Sequence, residues 1–265
     1  MQFMQPISGI ITTLNEERNI ADAIRSLQQV CNEVIVVDSL STDRTVEIAQ
    51  KTGATVYSQR YLGDGPQKNI ALQYVKSLWV LSIDADERLR PELVEAIRQL
   101  DLNATPYDGF AFRRRNYVGS RWMKACRWYP DYLVRLYRHD KLRFADIKQH
   151  SHVPTANTLR LHADLDHYSF RSIDELFGKP GRPFSSRSAK VIFRSGRKVH
   201  VLTPVLHGVG AFCSNYLLHG GIFAGIDGLT LSLAAAHGSY MKYAKVLEWQ
   251  RDPQVRATEH FDEVW

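Results

Sequence analysis

Apolar positions in the first hundred residues alternate between a strand-like and a helix-like period. Ile7–Thr13 (ISGIITT) is a short, apolar, β-branched run that predicts a buried strand. Ile20, Ile24, Leu27 and Val30 then recur at helical spacing, and EVIVVD, Glu33–Asp38, predicts a second strand buried on both faces. Ser41, Thr42 and Asp43 can open the next helix and Gly53 can close it as the residue after its C-cap. A third strand is predicted over 54–58, a helix over 66–76, and a fourth buried strand over WVLSID, Trp79–Asp84. Pro91 stands at the first turn of a helix reading ELVEAIRQL. Strands alternating with helices of this length predict βαβ units and a parallel sheet in an α/β fold. After residue 100 the rhythm changes. A strand is predicted over 108–115, a hairpin over 132–145 turning at His139, Asp140 and Lys141, and a strand over 159–169. From 172 onward the pattern is helical and basic, so two regions are expected, 1–170 and 171–265.

Composition adds one asymmetry. The 265 residues carry 34 Lys+Arg and 28 Asp+Glu, a formal charge of +6, which by itself hints at a polyanionic partner. Residues 1–105, however, sum to −4 and residues 106–265 to +10. The 44% apolar content excludes wholesale disorder. Three cysteines, Cys31, Cys126 and Cys213, form no CxxC pair and fit a reducing compartment. The amino-terminal stretch lacks the basic segment and cleavage site of a signal peptide. Residues 199–226 contain no Lys, Arg, Asp or Glu, but Pro204, Asn215, three histidines and five glycines argue against a simple transmembrane helix. A cytoplasmic protein is expected.

Candidate chemistry clusters at strand ends, where open parallel sheets bind ligands. Asp84 and Asp86 follow the fourth strand. They can share a divalent cation, or divide metal and ribose between them, or be a strand-end acid and a helix cap. Asp38 ends the second strand and can accept from a ribose or a base, or serve the following cap. Thr12, Asn15 and Glu16 end the first strand, where they can read a nucleobase edge. Lys68, in GPQKN at a helix start, sits where dipole and charge both favour phosphate, or is a solvated surface lysine. No GxGxxG follows the first strand and there is no GxxxxGK[ST], which argues against dinucleotide and P-loop chemistry.

In their order, TTLNEE (12–17), VVDSLSTDRT (36–45), GPQKNIAL (65–72) and SIDADERL (82–89) resemble the GT-A glycosyltransferases of family 2. WYPDY (128–132), RLYR (135–138) and the basic, amphipathic C-terminal third are most similar to bacterial lipopolysaccharide inner-core β-1,4-glucosyltransferases that act on heptose. The resemblance implies a GT-A fold, an inverting transfer from a UDP-sugar, and a divalent cofactor, Mg²⁺ or Mn²⁺. It implies that Thr12, Asp38 and Lys68 contact uridine and diphosphate, that Asp84 touches ribose, and that Asp86 holds the metal.

An inverting transfer needs a base, and Asp131, before RLYR, resembles the family's acidic position; otherwise it neutralises Arg127 or Arg135. Related enzymes often have His-Glu-His where this chain has His150-Ser151-His152. Those two histidines can ligate metal or simply face solvent. Residues 113–143 carry 10 Lys/Arg and 2 Asp/Glu. Arg113, Arg114, Arg115 and Arg135 are candidates there for the leaving diphosphate, and the 113–115 run, Arg121 and Arg135 for phosphate and carboxylate groups on an acceptor; a solvated face is the alternative. Residues 179–198 hold seven Lys/Arg and no acid, and the charge-poor stretch follows. That order reads as an anionic-membrane surface anchor at the inner face of the inner membrane, or as a helical cap on the sheet. The leading expectation is hexose transfer, with glucose the sugar expected, to a lipopolysaccharide-core acceptor. The competitors are transfer to polyprenyl phosphate or protein, and a basic module that binds nucleic acid without catalysis. No nucleic-acid motif supports the last, and no nucleic-acid partner is expected.

Overall fold

The structure is a computed structural model and describes residues 6–146, 151–178 and 183–258. In chain order, β1 (Ile7–Thr13), α1 (Ile20–Leu27), β2 (Glu33–Asp38), α2 (Thr45–Lys51), β3 (Thr55–Ser58), α3 (Asp64–Ala71) and β4 (Trp79–Asp84) form the alternating half. They are followed by β5 (Glu87–Leu89), α4 (Pro91–Arg98), β6 (Gly109–Val118), β7 (Arg121–Met123), β8 (Asp131–Arg138) and β9 (Thr158–Phe170). The remaining helices are α5 (Ile173–Phe177), α6 (Pro183–Arg194), α7 (Thr203–Cys213), α8 (Gly225–Arg251) and α9 (Pro253–Thr258). A short π-helical turn, Ser214–Leu218, and a 3₁₀ turn, Gly221–Ala224, join α7 to α8.

Among the described residues the strands form one sheet in the order β3-β2-β1-β4-β8-β6-β9-β5, with β7 on β6. The first four are parallel, as the βαβ pattern predicts. β8 then pairs antiparallel with both β4 and β6, and β5 pairs antiparallel with β9. The parallel strands are apolar on both faces because both faces are covered. Ile11, Val34, Val36 and Leu81 pack with Ile20, Ile24 and Leu27 of α1 and Leu93 and Ile97 of α4. Ile10, Ile35, Val37 and Val80 pack with Ala71 of α3 and with Tyr137 and Phe144.

Local signals held in most places. Gly53 takes φ +92° directly after α2, a conformation open to glycine at little cost. Of the three residues expected to open α2, Asp43 does so, its Oδ1 accepting from Thr45 N in the first turn, whereas Ser41 bonds Asp38 and Asn15.

The expected hairpin over 132–145 needs correction. β8 forms, but residues 142–145 run as irregular chain. Leu142 and Phe144 still enter the core, and Asn69 replaces the missing strand: its Nδ2 donates to Phe144 O at 2.9 Å and its Oδ1 accepts from Phe144 N at 3.1 Å. One amide side chain thus supplies both halves of a ladder pairing.

The chain divides into two compact units. One comprises the sequence up to Asn116 with Pro130–Ser169; the other comprises Tyr117–Tyr129 with the chain from Phe170 on. Residues 117–129, which the sequence pattern groups with the first 170, therefore belong with the helical region. Met123 and Cys126 are buried there against Val118 and Leu231, with Trp128 and Phe170 alongside. Among the described residues no single helix is long and apolar enough to cross a membrane.

Replacing Asn69 with Ala should cost about 1–3 kcal/mol, because Phe144 keeps a buried N–H and C=O with no replacement partner. Urea unfolding of the variant, read by Trp fluorescence, measures this, and an unchanged midpoint would refute the role given to Asn69.

Candidate functional site

Parallel register collects the strand-end polar residues. Thr12 lies beside Asp84 and Thr13 beside Asp38 at the carboxyl edge of β1, β2 and β4. Asp38 is 1% exposed and accepts from Ser41 N at 2.9 Å and Ser41 Oγ at 2.5 Å. Asn15, at φ +55°, donates its N–H to Ser41 Oγ and accepts from Thr42 N, both at 2.8 Å. Glu16 N donates to Thr45 Oγ1 at 2.8 Å, while its carboxylate accepts from Asn19 at 2.7 Å. The loops after β1 and β2 are thus stitched into one rim, and Leu14 and Leu40 stand exposed on it.

Lys68 is buried rather than solvated. It lies in the last turn of α3, not at its start, so the helix dipole is not what would draw phosphate to it. Its Nζ is 2.9 Å from both Asp64 and Asp84 and lies over the Phe144 ring. Burial works against its charge, but Asp84 and Asp64 outweigh that and hold its pKa above the ordinary lysine value. Asp84 shows the converse. Burial disfavours its ionised form, yet Lys68 and Arg135 hold the carboxyl well below the usual range.

From Asp84 the ion pairs continue. Arg135, 4% exposed, reaches Asp84 at 2.9 Å and fully buried Glu87 at 2.5 Å. Glu87 lies 3.6 Å from Arg114, and Arg114 donates to Asp131 Oδ2 through Nε at 3.0 Å and NH2 at 2.8 Å. Among the described residues Asp131 Oδ1 accepts no hydrogen bond. Asp131 is therefore paired with Arg114, not with Arg127 or Arg135. Arg114 and Arg135, with Asp64, Lys68, Asp84 and His152, line a cavity of about 290 Å³. Ser151 lines it too, tied to Asp64 through its N–H at 2.8 Å and to Ala145 O through its hydroxyl at 2.6 Å. His150 lies outside the described residues.

The two arginines flanking Arg114 point elsewhere. Successive side chains on a strand face opposite ways, and on β6 Arg113 and Arg115 both grip Asp164, Arg113 Nε at 2.8 Å and Arg115 Nε at 2.7 Å. Of the three arginines in this run, the one that lines the cavity is Arg114. Arg135, proposed with them on the acceptor side, is instead a buried tie between Asp84 and Glu87.

Asp86 does not cap a helix, because the chain enters β5 directly after it. Asp84 N donates to Glu87 Oε2 at 3.0 Å, and Arg88 braces the same turn through Ala85 O and Asn19 O. Asp86 Oδ2 lies 3.3 Å from His167 Nε2. His167 Nδ1 is 2.6 Å from Asn116 Oδ1 and 2.9 Å from Ser169 Oγ, which fixes the ring with Nε2 toward the Asp86 carboxylate. A carboxylate oxygen and an imidazole nitrogen at this separation can share a cation. Mg²⁺ and Mn²⁺ take such mixed or oxygen-rich sets and draw further ligands from phosphates and water, and a ligating His commonly donates its other N–H to an oxygen. With Asp86, the carboxylates of Asp64, Asp84, Glu87 and Asp131 number five against four cations, Lys68, Arg88, Arg114 and Arg135. The donor set therefore fits a divalent ion. Among the described residues no third His, Cys, Asp or Glu joins this pair.

Residues 8–166 match the family model described as glycosyl transferase family 2. An uncharacterized glycosyltransferase of Rickettsia typhi is 30% identical over 92% of this chain and 88% of its own length. The Rhizobium meliloti protein named lipopolysaccharide core biosynthesis glycosyltransferase LpsC is 28% identical over 92% of each chain. Among solved structures, glucosyl-3-phosphoglycerate synthase from Mycobacterium tuberculosis, in complex with Mn²⁺, UDP-glucose and phosphoglyceric acid, is 28% identical. That match covers 42% of this chain and 44% of the other, at a TM-score of 0.35.

Arg135→Met should cost about 3 kcal/mol in urea unfolding. It takes the closest cation from fully buried Glu87 and one of two from Asp84, two acids then left with Arg114 at 3.6 Å and Lys68 at 2.9 Å. Adding Glu87→Gln to that variant removes one of them and should restore part of the loss. Full additivity of the two losses would refute the pairing.

Proposed function

Because the chain belongs to glycosyl transferase family 2, we propose that it moves a hexose, glucose first among them, from a UDP-sugar to a sugar of a lipopolysaccharide core, with inversion. The observation that supports the chemistry is the Asp86–His167 pair together with Asp131, whose Oδ2 is held by Arg114 while Oδ1 accepts no hydrogen bond among the described residues. The Rhizobium relative named for lipopolysaccharide core biosynthesis supports the acceptor class.

Thr12, Asn15, Glu16 and Asp38 form the rim that receives uridine, with the exposed Leu14 and Leu40 offering apolar surface to the base. Asp84 is the group nearest the ribose, and Lys68, kept charged by Asp64 and Asp84, faces the diphosphate. Asp86 and His167 would hold the divalent ion, which when bound offsets the charge that builds on the departing UDP. Asp131 Oδ1 takes the proton of the acceptor hydroxyl as its oxygen bonds to the anomeric carbon. The bond from that carbon to the diphosphate breaks, and UDP leaves with the electron pair. Arg114 holds Oδ2 of Asp131 and so fixes how that carboxylate is turned.

Thermal shift separates these roles, because a ligand that binds only the folded state raises the melting temperature. UDP-glucose should stabilise the protein with Mn²⁺ present and much less with chelator. Asp86→Ala should lose that difference. Asp131→Asn should keep donor binding and lose transfer by about 10²–10⁴-fold. Donor binding indifferent to chelator would remove the metal role, and normal turnover by Asp131→Asn would remove the base.

A further inference from the structure

The helical unit carries a surface that water does not favour. Between residues 199 and 226 the sequence has no charged side chain. Along α7 and the π-turn, Leu202, Leu206, Val209 and Leu217 are exposed at helical spacing, and Ile226, Leu233 and Tyr240 repeat every seventh residue along α8. The two stripes share one side, because Val205 and Val209 of α7 and Leu233 and Tyr240 of α8 line the same apolar groove. At the bend between the helices Leu218 is 77% and Phe223 is 90% exposed. Contiguous apolar exposure on this scale marks an interaction surface.

The exposed tip is tightly built. A Cβ on Gly228 would fall 1.9 Å from Gly221 O, so the two backbones touch where the chain turns. Cys126 N donates to His219 O at 3.0 Å, and Ser232 Oγ donates to Gly228 O at 2.7 Å. The fold thus spends close packing on holding Leu218 and Phe223 outward.

We propose that this α7–α8 hairpin inserts edge-on into one leaflet of an anionic lipid bilayer, with Leu218, Ile222 and Phe223 entering the acyl region. Three observations select lipid over a second copy of the chain. Arg194, Arg197 and Lys198 are exposed immediately before the uncharged stretch, where headgroup phosphates would meet them. A symmetric contact between copies would set those cations together with no carboxylate in residues 179–226 to answer them, and Asp227, the next acid, is already bonded to Arg121 at 2.7 Å. The geometry suits a single leaflet. The helices flanking the break at 218–221 bend by 69°, and the Thr203–Leu218 arm rises roughly 24 Å, less than the ~30 Å of a hydrocarbon core. The inference does not rest on the identity of donor or acceptor.

Flotation with vesicles of phosphatidylethanolamine and phosphatidylglycerol tests it without any activity assay. The full chain should float with these vesicles and bind phosphatidylcholine vesicles at least tenfold less. Leu218→Ser with Phe223→Ser, both at exposed positions, should lower binding at least tenfold with an unchanged circular-dichroism melting curve. Phe223→Trp should become quenched by lipids brominated on their acyl chains. Loss of flotation in wild type, or binding without acyl-chain quenching, would overturn the insertion. So would a dimer in sedimentation velocity that shields Phe223→Trp from a soluble quencher when no lipid is present.

Discussion

The contact of Arg135 with Asp84 and Glu87 is the constraint from which the geometry of the cavity follows. A guanidinium cannot shed its proton under these conditions, so once β8 carries Arg135 beside β4, two acids must come to it. Glu87 answers from β5 and also takes Asp84 N–H, which sets the shape of the turn containing Asp86. Asp84, held on that side, turns its other oxygen to Lys68 and ties α3 to β4. Glu87 also faces Arg114, and Arg114 turns Asp131. Alternating charges in a poorly hydrated wall return little net stability, because desolvation consumes most of the attraction. What they provide is orientation: each group has one low-energy place to be, set by its neighbours.

How much of this was legible in the sequence depends on the range of each signal. The parallel half of the sheet could be read because period and turn residues act over a few positions. Residues 142–145 could not, because the group that completes their hydrogen bonds, Asn69, is 75 residues away. The acids at strand ends were visible for a topological reason, since parallel strands deliver their carboxyl ends to one edge. Which arginine of three faced them was not. Arg113, Arg114 and Arg115 differ only in parity, and parity is decided by the buried Asp164 of β9, a residue without a local signature. Strand alternation counted from Phe110 and Phe112 inward would have offered the signal for Arg114. His167 had none, because a histidine on a strand acquires meaning only from Asp86 and Asn116 on either side.

The two units also treat apolar surface in opposite ways. In the sheet unit two clusters absorb the aliphatic residues on both faces, and what remains at the carboxyl edge is polar and charged. The helical unit has only small clusters, around Trp249 and around Met123, and leaves whole stripes of α7 and α8 uncovered. Poor packing does not account for the difference, since Gly221 and Gly228 approach as closely as two backbones can while Phe223 stays exposed beside them. A fold that packs tightly and still displays leucine, isoleucine and phenylalanine has its apolar surface placed by construction. The formal charge of +6 divides unevenly between the two units, the sheet unit summing to −1 and the helical unit to +7. Its sum hints at one polyanionic partner; its distribution places the excess of cations in the unit that carries the uncovered apolar stripes.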